Sequence, residues 1–408
     1  MSPARVAADA AAATVLVVGA GPVGLLVAAR LLLLGVPTRI VERREVPGCG
    51  SRAIGVHPPG LAALASVGAD ADVLAAGVRI AEGRAFGAHG QLGSLRFDGD
   101  TPVLAVPQAV SEAALRSALE RAGGRVERGV TLTGLRLGSA GYLEATVLGA
   151  AEAAVDAAVV LGCDGPGSSV RTLAGIGWRG GAYRDRYLMA DLPDVSNLGA
   201  RAEIRLHRAG LLESFPLPGG WRRVVVRVPD GPATVVSDRR GAVDGGPVRQ
   251  GRVDPSVAAR VCALAVERGG EHYDAEAARM TSAFGIERRL ATHFALGHVA
   301  LAGDAAHVLS PIGGQGMNLG WIDAVALAEG VARGLERGPG ALRTELETYG
   351  QRRRRAAQAA AWRADLNTRL GRPVGPLGAR LRDAVLARAL RAPFDRALTG
   401  AFTMRGLA

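Results

Sequence analysis

The N-terminal part of the chain places a strand, a glycine-rich turn and a helix in immediate succession. Residues 15–18 form a short apolar run, typical of a strand buried on both faces. The run Gly19-Ala20-Gly21-Pro22-Val23-Gly24 follows, and an apolar helix continues to about residue 34. A second strand covers residues 38–41 and is closed by Glu42. This βαβ order predicts an α/β fold with a parallel sheet, because a crossover helix joins parallel strands.

The glycine turn has the spacing of a dinucleotide-binding motif. The first glycine permits a tight turn, the second lets the backbone approach a pyrophosphate, and the third lets the helix pack on the strand. Free N–H groups at the start of the helix then meet the phosphates. Glu42 stands where a carboxylate can accept both ribose hydroxyls of an adenosine. The predicted contacts of this half are Gly19, Gly21, Pro22, Val23, Glu42 and Arg43.

A second glycine-rich stretch lies far downstream, at residues 303–318. A strand over residues 299–302 leads into Gly303-Asp304, so the carboxylate lies at the carboxyl end of a strand, where open α/β sheets bind ligands. It can accept hydrogen bonds from a ribityl chain. The turn at 310–316 brings bare backbone close to a flat ring, and a helix beginning near Gln315 would stabilise the negative charge of a reduced flavin. Together the two stretches predict non-covalently bound FAD.

The composition excludes several other mechanisms. The chain has 408 residues and a formal charge of +11, and it contains no lysine. A Walker A phosphate loop and Schiff-base catalysis both need that side chain. The arginine excess predicts a solvated basic surface rather than a nucleic-acid site, because no recognition motif accompanies it. Such a surface can attract anionic NAD(P)H or an acidic substrate.

Cysteine and histidine usage, and the absence of a targeting pattern, suggest a cytoplasmic protein. The three cysteines are widely spaced, which argues against a disulfide framework. The histidines show no metal-ligand spacing, so no metal site is expected. The apolar stretch 14–36 contains glycines and an arginine, and it is interpreted as strand, turn and buried helix rather than a membrane span.

Three motifs in the same order resemble those of the group A flavoprotein monooxygenases, the para-hydroxybenzoate hydroxylase-like aromatic hydroxylases. They are the G-x-G-x-x-G turn, an Asp-Gly motif at Cys163-Asp164-Gly165, and the Gly-Asp motif at residue 303. The resemblance covers about residues 14–349. It implies further FAD contacts and, beside the flavin, two residues of the reacting face. The contacts are Arg52, Gln108, Asp164, Gly303, Asp304, Gly316, Met317 and Asn318, and the reacting-face residues are Pro311 and Gly314.

The resemblance also implies the architecture. We expect a Rossmann-like FAD-binding domain of the GR2 type, an inserted, mostly antiparallel substrate sheet and a C-terminal helical region, without the C-terminal thioredoxin-like domain of larger members. The FAD domain would take residues 1–78, 105–177 and 284–345, and the substrate domain residues 79–104 and 178–283. Residues 346–408 would form the C-terminal helices. Within the FAD domain, a helix is predicted from Ser111, as its N-cap, to residue 122.

The activity implied by the resemblance is oxygenation. NADPH or NADH would reduce the flavin transiently, and O2 would form a C4a-hydroperoxide that transfers one oxygen atom to an aromatic or polyketide-like small molecule, in bacterial secondary metabolism. Phe215, Trp221 and Arg223 are the candidate substrate contacts. Alternatives are an epoxidase, a geranylgeranyl-reductase-like flavin oxidoreductase, or a flavin-binding protein without oxygenase activity. A monomer or homodimer is expected, and His307 is interpreted as a packing or capping residue.

Overall fold

The computed structural model describes residues 14–47, 53–97, 102–138, 142–228 and 253–406. In chain order the strands in these ranges are β1 (Thr14–Val18), β2 (Thr38–Glu42), β3 (Gly55–Val56), β4 (Val78–Ile80), β5 (Glu82–Gly87), β6 (Gly90–Arg96), β7 (Val103–Ala105), β8 (Val126–Arg128), β9 (Thr131–Leu137), β10 (Leu143–Leu148), β11 (Glu152–Gly162), β12 (Trp178–Pro193), β13 (Arg201–His207), β14 (Gly210–Leu217), β15 (Trp221–Val228), β16 (Met280–Ala291), β17 (Ala295–Leu296), β18 (Val299–Leu301) and β19 (His307–Val308).

The helices follow the same order along the chain. They are α1 (Pro22–Leu33), α2 (Pro58–Ala65), α3 (Asp70–Ala76), α4 (Gln108–Arg121), α5 (Ser169–Leu173), α6 (Pro255–Gly269), α7 (Gln315–Arg337), α8 (Pro339–Leu370), α9 (Pro376–Ala389) and α10 (Phe394–Phe402). A short 3₁₀ turn covers Gly303–Ala305. Among the described residues, no helix combines the length and the apolar character needed to cross a membrane.

The first sheet is built around buried parallel strands. Its main order is β17-β18-β11-β1-β2-β8, and β18, β11, β1, β2 and β8 run parallel. Val15, Leu16 and Val17 of β1 are fully buried, as expected for a strand with neighbours on both edges and side chains packed on both faces. Helix α1 packs on β1 and β2 and contacts both α4 and α7. The predicted α/β class with a parallel sheet is confirmed.

The second sheet is mostly antiparallel. Its order is β19-β16-β12-β15-β14-β13-β5-β6, and β13 and β5 form its parallel pair. One face packs on α6 through an apolar cluster that includes Leu188, Val224 and Val261. The opposite face carries a second apolar cluster, with Met189 and Val225. A small third sheet, β3-β7-β4, lies in the described part as well.

Two features of the described chain bear on the predicted boundaries. Strand β12 begins at the expected limit, residue 178, whereas β16 crosses the expected limit at 284 and belongs to the second sheet over its length. The division into domains otherwise stays a prediction. The predicted helix cap at Ser111 is wrong: α4 begins a turn earlier, with Pro107 at the N-cap, and Ser111 is buried inside the helix.

Candidate functional site

Three distant segments of the chain meet at one edge of the first sheet. Strands β18, β11, β1 and β2 are adjacent and parallel, so their carboxyl ends lie side by side. Gly303-Asp304 follows β18, Asp164 follows β11, the glycine turn follows β1, and Glu42 ends β2. This is the edge at which doubly wound sheets bind ligands.

The glycines of these segments are needed because the segments pack without room for a side chain. A Cβ atom on Gly19 would lie 2.5 Å from the carbonyl oxygen of Cys163, and one on Gly303 would lie 2.8 Å from Cγ2 of Val23. A side chain at either position would therefore separate the turn from the neighbouring strand ends. The glycine turn, the Asp-Gly motif and the Gly-Asp motif pack as one unit.

Gly21 and Gly24 differ in what surrounds them. A Cβ atom on Gly24 would lie 1.9 Å from the carbonyl oxygen of Gly19, whereas one on Gly21 would have nothing within 4 Å. Gly21 is the N-cap of α1 and provides no side-chain cap, so N–H groups at the helix start stay free of a capping side chain. Open space in front of an uncapped helix start fits the pyrophosphate of a dinucleotide.

Glu42 holds the glycine turn and also faces the cleft. Its side chain is 5% exposed and accepts hydrogen bonds from the Ala20 N–H at 2.9 Å and from the Arg44 N–H and Nε at 3.0 and 2.9 Å. Burial raises the pKa of this carboxyl, but the Arg44 guanidinium and these N–H groups outweigh burial, and the net shift is downward. Nη2 of Arg44 donates a fourth and longer hydrogen bond, of 3.5 Å, to Oε2. The about four acceptor positions of the carboxylate are therefore filled, and a ribose hydroxyl would replace this longest contact.

Two aspartates supply unpaired acceptors on the cleft wall. Oδ2 of Asp164 accepts from the N–H and hydroxyl of Ser169, at 2.7 and 2.9 Å, while its Oδ1 is buried without a hydrogen-bond partner in the part of the chain that the structure describes. Asp304 opens onto the cleft and makes no hydrogen bond with any described residue. Its position deep in the cleft raises the pKa of its carboxyl through desolvation, against the opposing influence of His307. The buried Oδ1 of Asp164 requires a donor, and the carboxylate of Asp304 is exposed to the cleft. The ribose and ribityl hydroxyls of FAD are donors suited to both.

The loop before α7 is shaped by two glycines in the left-handed region. Gly313 and Gly314 have φ values of 96° and 66°, which residues with a Cβ rarely adopt. Gly314 is the N-cap of α7 and gives no side-chain cap, so a second helix start presents N–H groups to the cleft. Pro311, Gly316 and Met317 also line the cleft here.

The side chain of Asn318 holds the loop before α7 in place through hydrogen bonds. Its Oδ1 accepts from the His57 N–H at 2.9 Å, and its Nδ2 donates to the carbonyl oxygens of Gly55 and Gly314 at 2.9 and 3.0 Å. The residue is fully buried and does not line the cleft. Its side chain therefore positions the loop, and the predicted cofactor contact of Asn318 stays a prediction.

His307 belongs to a buried ionic cluster rather than to the cleft. Its Nε2 is hydrogen-bonded to Oδ2 of Asp323, whose Oδ1 accepts from Nε of Arg353 at 2.7 Å. Burial raises the pKa of the Asp323 carboxyl, but His307 and Arg353 outweigh it, and the net shift is downward. This arrangement suits packing of α7 against its neighbours, not proton transfer to a ligand.

One cleft joins these elements to the second sheet. Its volume is about 2690 Å³, well above the roughly 300–1,000 Å³ of a pocket for one small ligand. The predicted cofactor residues that line it, in the described part of the chain, are Gly19, Gly21, Pro22, Val23, Glu42, Arg43, Gln108, Asp164, Gly303, Asp304, Gly316 and Met317, together with Pro311 and Gly314. Arg52 lies outside the described residues. The cleft has room for a large cofactor and a second molecule.

The predicted substrate contacts divide into two groups. Phe215 and Arg223 line the cleft, although Arg223 is also held by Asp191 through hydrogen bonds of 2.6 and 2.9 Å. Trp221 is not brought to the cleft, and its ring lies 4.3 Å from the guanidinium carbon of Arg279. No group of His, Cys, Asp and Glu suited to a metal ion is found within the ranges that the structure describes.

Sequence reasoning missed two residues of the cleft wall. His57 is 2% exposed, and burial lowers the pKa of its imidazole to about 4, so the ring is neutral near pH 7. Glu213, on β14, is 4% exposed and lies among apolar side chains. The available signal for Glu213 was a single carboxylate in a strand whose other cleft-facing residues, Leu211 and Phe215, are apolar.

Comparison with known proteins agrees with this geometry. The family described as FAD binding domain matches residues 12–364. The chain belongs to this family. Rifampicin monooxygenase of Streptomyces venezuelae is 32% identical over 317 residues, which cover 77% of this chain and 62% of that protein. The chain therefore spans less than two thirds of the length of that curated relative.

Solved structures of similar proteins share the fold. The anhydrotetracycline hydroxylase OxyS from Streptomyces rimosus is 28% identical with a TM-score of 0.74, over 96% of this chain and 76% of the other. The Diels-Alderase PyrE3 of pyrroindomycin biosynthesis is 27% identical with a TM-score of 0.75, over 96% of this chain and 80% of the other. Membership of the FAD binding domain family confirms the resemblance predicted from the three motifs.

Proposed function

We propose that the protein is an FAD-dependent, NAD(P)H-using monooxygenase that hydroxylates an aromatic or polyketide-like small molecule in secondary metabolism. The observation that carries the proposal is the single cleft, in which three strand-end motifs meet the apolar face of a second sheet. The names of similar proteins support it, since rifampicin monooxygenase and anhydrotetracycline hydroxylase are among them.

Each part of the cleft fits one part of FAD. The uncapped start of α1 at Gly21 would bind the pyrophosphate, and Glu42 the ribose hydroxyls of the adenosine. Asp304 would accept from the ribityl chain, and the uncapped start of α7 at Gly314 would bind the pyrimidine edge of the ring. Bound FAD supplies hydride and oxygen chemistry, and the protein supplies binding, orientation and electrostatics.

The apolar face of the second sheet would hold the substrate. Met189, Val225 and Phe215 line the cleft there, and Ile312 of the loop before α7 packs in the same apolar cluster as Met189 and Val225. A substrate on this face would lie against that loop, with Pro311 at the boundary. Apolar walls exclude water, which protects reactive species during oxygen transfer.

The proposal includes NADPH or NADH as a transient co-substrate, O2 as the oxidant, a cytoplasmic location and a monomer or homodimer. To test it, FAD-loaded protein is mixed with a panel of polycyclic phenols and each coenzyme. We expect substrate-stimulated coenzyme oxidation, oxygen uptake, and a product that carries one atom from labelled dioxygen. Yellow protein that oxidises neither coenzyme with any member of the panel would contradict the proposal.

A second candidate is a flavin-binding protein that catalyses no redox reaction. The similarity to the Diels-Alderase PyrE3 favours it, because the same fold there belongs to a protein named for a cyclisation. In that case the apolar face would bind a polyene in a folded conformation, and the product would have the mass of its substrate. Oxygen uptake and labelled product separate the two candidates in one experiment.

A further inference from the structure

The cleft face of the second sheet carries one carboxylate in an otherwise uncharged row. On β14, Leu211, Glu213 and Phe215 line the cleft, while Leu212 packs under α6 on the opposite face. Side chains that are paired across neighbouring strands stand beside one another on the same face. The row through Glu213 runs from β5 to β16 and consists of Ala85, Ile204, Glu213, Val225, Met189 and Ser282, all of which line the cleft.

Glu213 has no partner of its own among the described residues. It is 4% exposed, and it makes no hydrogen bond or ion pair with them. Glu203, on the neighbouring strand, is equally buried but is bonded to Arg205 at 2.8 Å. A buried polar group without a partner destabilises a fold, so its presence calls for an explanation.

The nearby arginines are engaged elsewhere. On β15, Arg223 is paired with Asp191 at 2.6 Å and Arg227 with Asp185 at 2.8 Å. Tyr187, on β12, is fully buried, and its hydroxyl also has no hydrogen-bond partner within the described ranges. With no cation compensating Glu213, desolvation raises the pKa of its carboxyl to about 8. Near neutral pH this side chain is mainly a neutral carboxylic acid, which both donates and accepts hydrogen bonds.

We propose that Glu213 is the polar anchor for the substrate and hydrogen-bonds a hydroxyl group of a neutral, polycyclic aromatic molecule that lies on the apolar row. The inference rests on the proposed function and specifies its substrate class. An apolar row with one hydrogen-bonding group matches a ring system with one hydroxyl. The apolar rings then contact apolar side chains, and the hydroxyl contacts the carboxyl of Glu213. The contact of Ile312 with the same apolar cluster places the anchored ring next to the loop before α7.

The test compares hydroxylated probes with their methyl ethers. Phenol, naphthol and hydroxyanthraquinone, each with its ether, are titrated into the FAD-loaded protein, and dissociation constants are taken from the quenching of tryptophan fluorescence. We expect at least one hydroxylated probe to bind about tenfold more tightly than its ether, because the ether cannot donate a hydrogen bond to the carboxyl oxygen and its methyl group occupies that space.

Three variants identify the source of that preference. Glu213→Met replaces the carboxyl by an apolar chain of similar length, and the preference for the hydroxyl should vanish. Glu213→Gln keeps a donor and an acceptor, and the preference should persist. Glu82→Gln changes a carboxylate of the same sheet that lies outside the cleft, and it should match the wild type.

Two results would overturn the inference: wild-type affinities within twofold for every pair, or a preference retained in Glu213→Met. Removal of an unpaired buried carboxyl is expected to stabilise the fold, and Glu213→Gln provides a second, nearly isosteric variant. FAD content and coenzyme oxidation are measured on the same samples. Loss of those two properties in the wild type counts against the proposed function, whereas a yellow, active protein without hydroxyl preference counts against Glu213 alone.

Discussion

At the scale of single residues, the cleft depends on places where a side chain is missing. Gly24 has no room for a Cβ atom because the carbonyl oxygen of Gly19 occupies the space, so this glycine serves the fold. Gly21 has open space and an ordinary backbone, with φ −76° and ψ −179°. The fold alone does not require a glycine at that position. A ligand that approaches the backbone at this point would account for the glycine.

The first prediction concerns Gly21→Ala. The apoprotein should keep the melting temperature of the wild type, because the new methyl group meets no protein atom within 4 Å. The affinity for FAD should fall by about tenfold or more, because the methyl group takes the space of the pyrophosphate. Flavin fluorescence titration and thermal unfolding measure the two effects. Gly340→Ala, at another open position but outside the cleft, is the control. Equal FAD affinity in both variants would contradict the proposed contact between Gly21 and the pyrophosphate.

The second prediction concerns the pH dependence of stability through Glu213. Its pKa is about 8 in the folded protein and about 4.5 when unfolded, so between these values the folded state holds the extra proton. Stability therefore falls as pH rises through this window, and the full penalty is present above pH 8. The neighbouring charged or titratable side chains are Tyr187, Arg223 and Arg227.

Glu213→Gln removes that titration. In urea unfolding, the variant should exceed the wild type by a few kcal/mol at pH 9, and the difference should shrink toward pH 5, since each unit of pKa shift corresponds to about 1.4 kcal/mol. Glu82→Gln serves again as the matched control. A stability difference that stays constant from pH 5 to 9 would contradict the assigned protonation of Glu213.

At the scale of elements, helix α7 connects the cleft to the core. Its first turn faces the cleft at Gly316 and Met317, and about two turns later Asp323 is buried between His307 and Arg353. The same helix carries a partly exposed ion pair, Glu329 with Arg30. Buried and exposed pairs on one helix allow a direct comparison of their contributions.

The third prediction uses that comparison. Asp323→Ala leaves His307 and Arg353 buried without their carboxylate and should lower the free energy of unfolding by about 3–5 kcal/mol. Glu329→Ala removes a pair that water already screens and should cost about 1 kcal/mol or less. Urea denaturation at pH 7 measures both. Similar costs for the two variants would show that the cluster around Asp323 does not hold α7 in place.

Elements with a local sequence signal could be predicted, and those defined by tertiary contacts could not. The turn at 19–24 and Gly303-Asp304 carry glycines and a strand in direct succession, so their place at strand ends follows from the sequence. The helix start predicted at Ser111 was wrong because serine, a residue favoured at N-caps, lies inside a helix whose N-cap is Pro107. The hydrogen bonds of Asn318 and the cluster around Asp323 depend on partners far along the chain, which no local pattern reveals.

At the scale of the whole molecule, the two large sheets contribute different parts of the cleft. The first sheet places glycine-rich turns and carboxylates at its strand ends, while the second offers an apolar face with Glu213 as a carboxyl that has no partner among the described residues. The cleft between them accounts for the family's cofactor and leaves space for a second molecule. In this arrangement one FAD would extend from Gly21 to the loop before α7.

The most direct test of that claim is calorimetric titration of the flavin-free protein with FAD. We predict saturable binding of one FAD per chain. We also predict thermal stabilisation that grows with FAD concentration, about 2.7 kcal/mol at one hundred times the dissociation constant. Adenosine diphosphate and riboflavin alone should each bind far more weakly than FAD, because each fills only one end of the cleft. Absence of saturable FAD binding, or riboflavin and adenosine diphosphate binding as tightly as the whole cofactor, would contradict the account.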